Sequence, residues 1–213
     1  MSNDIPDKNL FMMCRELNRS ALSSLSEEYR VRNCRRDELD IWKAFPFDDE
    51  ATAQENKGYM TEFFENVYKN NENLFYQRCL FVCDKNDTPI GTCFAWPAYG
   101  EITTIHWYKV KKCYEGLGIG RALLSNVMSN IEDKDYPVFL HTQPESYRAI
   151  KLYSDFGFAL LTDPIIGHRR NDLEECLPIL QKVMPKGDFE KLQFAKAPDY
   201  FLDAVKSSKI SEF

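Results

Sequence analysis

The chain has 213 residues, 44% hydrophobic and 14% aromatic, with 15 Phe and 11 Tyr, which excludes a disordered chain and suits one domain with extensions. Its net charge of -6 argues against nucleic acid as a partner, and no apolar run approaches the ~20 residues of a membrane span. Seven cysteines with no C-x-x-C spacing read as small buried hydrophobes of a reducing compartment, not as a metal site or a disulfide framework.

The opening Met1-Ser-Asn-Asp-Ile-Pro-Asp7 carries acidic residues where a secretory signal would carry basic ones, so a cytoplasmic location is expected. From Asn9 to Leu25, Leu10, Phe11, Cys14, Leu17 and Leu22 recur at near-helical spacing and predict an N-terminal helix. Tyr29 to Arg32 is a short strand candidate, and Cys34 to Trp42 passes from strand end into helix. Phe45-Pro-Phe-Asp-Asp-Glu50 predicts a loop with two aromatics at its tip, after which Met60, Phe63, Phe64, Val67 and Tyr68 give a helix one apolar face. Cys79–Asp84 and Pro89–Trp96, joined by Lys85-Asn-Asp-Thr88, form a hairpin signal. Tyr99-Gly100 turns the chain into a further strand, Glu101 to Lys111.

The stretch Val110-Lys-Lys-Cys-Tyr-Glu-Gly-Leu-Gly-Ile-Gly-Arg-Ala-Leu-Leu124 carries the most chemistry. It leaves a strand rich in Thr, Ile, Trp, Tyr and Val and enters a helix marked by Leu123, Leu124, Val127, Met128 and Ile131. Glycines at 116, 118 and 120 let backbone approach a ligand closely, and the first N–H groups of a helix favour an anion such as a pyrophosphate. A Walker A loop would need Gly-Lys-Ser/Thr where Gly120-Arg121-Ala122 stands, so that reading fails. A dinucleotide fingerprint starting at Gly116 needs a glycine at 121 and also fails.

Pro137 to Thr142 reads as a buried strand parallel to the previous one, because a helix intervenes as a crossover. Thr142-Gln-Pro-Glu145 fits a capping box for a helix over about 145–156 that buries Ala149, Ile150, Leu152 and Phe156, with Gly157 as its left-handed cap. Phe158 to Leu161 is a strand, Thr162-Asp-Pro164 a turn, and Asn171-Asp172 can cap a helix holding Leu173, Cys176, Leu177 and Leu180. The tail from Pro185, with Phe189, Leu192, Phe194, Tyr200, Phe201 and Leu202, is too apolar to be free and is expected to dock.

Two motifs carry a resemblance. Glu115-x-x-Gly118-x-Gly120 is similar to the acyl-coenzyme A loop of the GNAT superfamily of N-acyltransferases, Gln/Arg-x-x-Gly-x-Gly/Ala, with Glu in the first place. Ser146-Tyr-Arg-Ala149-Ile-Lys-Leu152-Tyr153-Ser-Asp-Phe-Gly157-Phe158 resembles the family's Asn-x-x-Ala-x-x-Leu-Tyr-x-x-x-Gly-Phe helix, with Ser146 replacing Asn. The order of elements agrees from about Tyr29 to Arg170. The resemblance implies an α/β (α+β) fold with a mixed, mostly antiparallel central sheet flanked by helices. Around a domain at 29–170 it leaves helical extensions at 1–28 and 171–213.

It further implies transfer of an acetyl group from acetyl-coenzyme A, a co-substrate, directly to the primary amine of a small molecule, with no metal. Backbone of Glu115, Gly116, Leu117, Gly118, Ile119, Gly120 and Arg121 would hold the pyrophosphate. Tyr108 and Val110 would pair with the pantetheine arm through their backbone, and Ser146 would take the place of the usual Asn. Tyr153 would protonate the departing thiolate. His106 is the expected base, with Glu101, His141 or a water chain as alternatives. Phe45, Phe47, Tyr59 and the Asp163–Asn171 segment, with His141, are expected around the acceptor. Two other functions stay open here: an acyl-coenzyme A sensor without turnover, because Glu115 and Ser146 depart from the pattern, and acylation of a protein or peptide amine. The chain would act as a monomer or a homodimer, without nucleic acid or membrane.

Overall fold

The computed structural model describes residues 5–212; the four residues with which the expected N-terminal extension begins, and Phe213, lie outside them. In chain order the elements are β1 (Leu10–Cys14), β2 (Arg30–Asn33), α1 (Leu39–Ala44), α2 (Glu50–Glu55), α3 (Lys57–Val67), α4 (Glu72–Arg78), β3 (Leu80–Cys83), β4 (Pro89–Ala98), β5 (Ile102–Val110), α5 (Ile119–Ser129), β6 (Val138–Thr142), α6 (Tyr147–Asp155), β7 (Phe158–Leu161), β8 (Ile165–Ile166), β9 (Arg169–Arg170), α7 (Leu173–Val183), α8 (Lys186–Phe189), β10 (Phe194–Ala195) and α9 (Asp199–Ser207). The class is mixed α/β on a mostly antiparallel sheet, as expected. The chain gathers into two compact units. One holds the described residues up to Ala21, Pro97–Thr104 and everything from Asp133; the other holds Leu22–Trp96 and Ile105–Glu132.

In the first unit the strands lie in the order β10-β7-β1-β6, followed by the start of β5. β1 pairs antiparallel with β6 (Met12 opposite Leu140) and with β7 (Met13 opposite Ala159). This corrects the expected N-terminal helix. Leu10-Phe-Met-Met-Cys14 is buried at every position, and a short apolar run buried on both faces has no period that separates strand from helix. β6 pairs with the start of β5 in parallel, Thr104 opposite Phe139, as the crossover argument requires. The expected capping box is absent. Thr142 completes β6 opposite Leu10, so a 3-10 turn over Pro144–Ser146 begins the next helix with no side-chain cap. Gly157 closes α6 at φ +99, and a Cβ there would lie 2.7 Å from the Glu16 carbonyl oxygen, so a side chain is excluded twice over.

The tail docks in this unit, though not at every apolar residue. Phe201 of α9 stacks on Phe139 of β6 at 3.9 Å between centroids and 2° between planes, within a cluster that includes Phe11, Met13, Leu161 and Val205. Phe194 and Tyr200 stay about half exposed. The β8–β9 hairpin and the two-residue strand β10, parallel to β7, were not expected; each is too short to show a period.

In the second unit the rest of β5 is followed by β4, β3 and β2. β2 and β3 pair antiparallel, Val31 opposite Val82, and β3 and β4 form the expected hairpin with a register shift at Val82/Cys83. α3 buries Met60, Phe64 and Val67, and α4, unread in the sequence, adds Phe75. These rings surround Trp42, which meets Phe64, Tyr68, Phe75 and Trp107 edge-on at 5.0 to 6.2 Å, the arrangement aromatic quadrupoles favour. Phe45 is not at a loop tip: it is buried and stacks on Phe81 at 5.5 Å. Six cysteines are buried, but Cys113 is exposed, which departs from the uniform reading above.

Candidate functional site

The glycine loop lies in the second unit, and its three glycines do different work. Gly116 and Gly118 have φ of +80 and +79, and a Cβ added to either would meet open space, with nothing within 4 Å. They are needed for conformation, since other L-residues resist the left-handed region. Gly120 is needed for space: a Cβ there would sit 2.2 Å from the Tyr108 hydroxyl oxygen and 3.5 Å from Val110 Cγ2. α5 is thereby pressed onto the face of β5 that carries Tyr108 and Val110.

No side chain caps the start of α5, whose N-cap is Gly118. The first intrahelical bond runs from Ala122 N–H to the Gly118 carbonyl at 3.1 Å. First-turn N–H groups in that state, on the positive end of the helix dipole, suit a bound anion. Ile119 buries its side chain and can meet a ligand through its backbone only, while Leu117 is exposed. Glu115 is exposed beside Gly116. The residues present therefore fit a pyrophosphate cradle. Burial pushes the Tyr108 hydroxyl well above its ordinary pKa, which keeps the phenol neutral.

His106 lies on β5 in the same unit, at 3% exposure. Burial pulls its pKa down to about 3, so the ring is neutral across the physiological range. Its Nδ1 is 2.5 Å from the Tyr68 hydroxyl, while its Nε2 is buried without a hydrogen-bond partner among the described residues. Phe47 is half-buried and Tyr59 exposed; Tyr59 meets Phe63, which stands edge-on to Trp107 at 5.1 Å.

The first unit holds the remaining candidates. Ser146 immediately precedes α6 and makes no side-chain capping bond. Tyr153, two turns further on, is 5% exposed and leans on Phe158 at 5.8 Å. His141 has both nitrogens engaged: Nε2 with Asn9 Oδ1 at 2.9 Å, and Nδ1 with the Arg169 guanidinium at 3.3 Å. Because arginine can only donate, Nδ1 accepts and Nε2 carries the proton. Burial, then Arg169, lowers its pKa to about 3, so no lone pair is left to take a substrate proton. Glu101 is exposed in the turn before β5, and His168 is exposed in the β8–β9 turn. Tyr68 and Trp107 were not among the expected site residues; nothing in the spacing of β5 announces the contact they make.

Among the described residues no group of three or more His, Cys, Asp or Glu could hold a metal, and no helix is long and apolar enough to cross a membrane. The family model for the Acetyltransferase (GNAT) family matches residues 39–158. No curated protein matches significantly. Among solved structures, an acetyltransferase from the GNAT family of Colwellia psychrerythraea aligns at TM-score 0.52 and 12% identity, over 73% of this chain and 53% of its own. A tandem GNAT protein from the clavulanic acid biosynthesis pathway aligns at TM-score 0.51 and 12% identity, over 73% of this chain and 50% of its own. The chain thus spans about half the length of these structures, and at such identity the likeness concerns the fold.

Proposed function

The chain belongs to the Acetyltransferase (GNAT) family, and from that premise we propose that it transfers an acetyl group from acetyl-coenzyme A directly to the primary amine of a small molecule. The observation that carries this reading is the loop at 116–120, with two left-handed glycines opening an uncapped helix and a third pressed against Tyr108. Backbone N–H groups of 116–121 would hold the pyrophosphate. Backbone of Tyr108 and Val110 would align the pantetheine arm and polarise the thioester carbonyl, which raises rate by position and by charge stabilisation. Ser146 would add one donor toward coenzyme A.

In the reaction the amine nitrogen forms a bond to the acetyl carbon, the carbon–sulfur bond breaks, and the sulfur leaves with a proton. Tyr153 is the proposed source of that proton. At pH 7 only roughly one alkyl amine in 2,500 is neutral, a handicap of about 4.6 kcal/mol, so a proton acceptor is needed before attack. His106, with its pKa near 3, is a poor acceptor at that pH, because a general base works best near the operating pH. Glu101, exposed in the turn before β5, or water is the acceptor that remains once His141 is tied to Asn9 and Arg169.

Binding tests the cradle by itself. Acetyl-coenzyme A at 100 times its dissociation constant should add about 2.7 kcal/mol of stability, a rise of roughly 5 to 11 °C in melting temperature for a chain of this size. ATP and NADH serve as controls. A shift with acetyl-coenzyme A alone supports the cradle, and no shift removes it.

A further inference from the structure

β5 contains a residue in a conformation that strands avoid: Trp107 has φ of +49. For a bulky aromatic this is a genuine outlier, and such residues persist only where the surroundings over-determine them. The consequence is a break in the strand's alternation. His106 and Trp107, adjacent in sequence, both reach Tyr68, whereas Tyr108 and Val110 both reach the place where Gly120 would carry a side chain. An extra residue on one face of a strand has this effect, and it re-aims the backbone that follows.

Tyr68 supplies the over-determination. It follows α3 directly, its N–H bonded to the Phe64 carbonyl at 2.9 Å, and its ring is packed by Trp42, Phe75 and Trp96 at centroid distances of 4.8 to 5.7 Å. A hydroxyl in so apolar a place needs hydrogen bonds. Trp107 Nε1 donates to it at 3.0 Å, and its oxygen lies 2.5 Å from His106 Nδ1. Indole N–H can only donate, so the hydroxyl oxygen accepts from Trp107 while the same hydroxyl is joined to His106 Nδ1.

We propose that Tyr68 is a positioning residue for the coenzyme A site: its hydroxyl holds Trp107 in the left-handed conformation and so fixes where Tyr108 to Val110 present their backbone. The proposal rests on the acetyl-transfer reading for its function, but the staple itself is a property of the free protein.

The test is a double-mutant cycle of Tyr68→Phe and Trp107→Gly. Tyr68→Phe keeps the ring and should weaken coenzyme A affinity roughly tenfold, the scale of one hydrogen bond, with the KM for the amine within about twofold. Glycine takes the left-handed conformation unaided, so in the Trp107→Gly background Tyr68→Phe should change affinity by less than about twofold, the sign of coupled residues. Equal losses in both backgrounds, or no loss in the first, would overturn the proposal. Amide exchange in the unliganded protein gives a readout independent of coenzyme A. Lys111 N–H, bonded to the Ile90 carbonyl at 2.8 Å, should exchange about tenfold faster in Tyr68→Phe and no faster on adding that change to Trp107→Gly. Unchanged exchange sinks the staple even if binding persists. Wild-type protein that ignores coenzyme A, with exchange behaving as stated, sinks the acetyl-transfer reading instead.

Discussion

Tyr153→Phe is expected to lower turnover by ~10²-fold, the lower range for loss of a general acid, while coenzyme A affinity stays nearly unchanged. The side chain is almost wholly buried on α6, in ring contact with Phe158, and phenylalanine preserves that packing. A thiolate leaving without its proton is the step that suffers, so the loss should fall on kcat and not on the KM for acetyl-coenzyme A. A packing-only tyrosine gives the opposite pattern: a small change in stability and unaltered turnover. Steady-state kinetics of the variant, with acetyl-coenzyme A titrated at saturating amine, separates the two, and unchanged kcat removes Tyr153 from the mechanism.

The second large effect concerns the fold. Phe201→Ala should cost about 3 to 5 kcal/mol, as expected for truncating a fully buried aromatic, and lower the melting temperature by roughly 6 to 20 °C. The cause is specific: Phe201 has no exposed surface and lies face to face on Phe139, in the cluster that also holds Phe11 and Met13 of β1. The tail therefore supplies part of the core against which β6 and β1 pack. Thermal melts of Phe201→Ala beside Phe201→Leu check the claim. The leucine variant should fall between alanine and wild type, and an alanine variant melting within about 2 °C of wild type would show that α9 is dispensable.

The parts legible in the sequence were those whose chemistry is local. Glycines at 116, 118 and 120 announce a turn where backbone can come close to a neighbour, and the structure adds that Gly120 answers to Tyr108 while the other two answer to φ. The β3–β4 hairpin, α3, α5, β6 and α6 followed from turn residues and apolar periods. What failed to show was decided by partners distant in sequence. Leu10–Cys14 becomes a strand because β6 and β7 lie on either side of it. The charge state of His106 is set by burial, and its Nδ1 is engaged by Tyr68, 38 positions away. His141, an alternative to His106 in the sequence, has both nitrogens occupied by Asn9 and Arg169. The left-handed Trp107 leaves no trace in composition, since tryptophan is an ordinary strand residue.

Acyl transfer to an amine is tested by release of free thiol from acetyl-coenzyme A across a panel of small primary amines, with a lysine-containing peptide beside them. At least one small amine should accelerate release well above the rate of hydrolysis without amine, and the peptide should not. Acetyl-coenzyme A bound with no amine raising thiol release would contradict it and leave a binding protein that carries the fold without the chemistry.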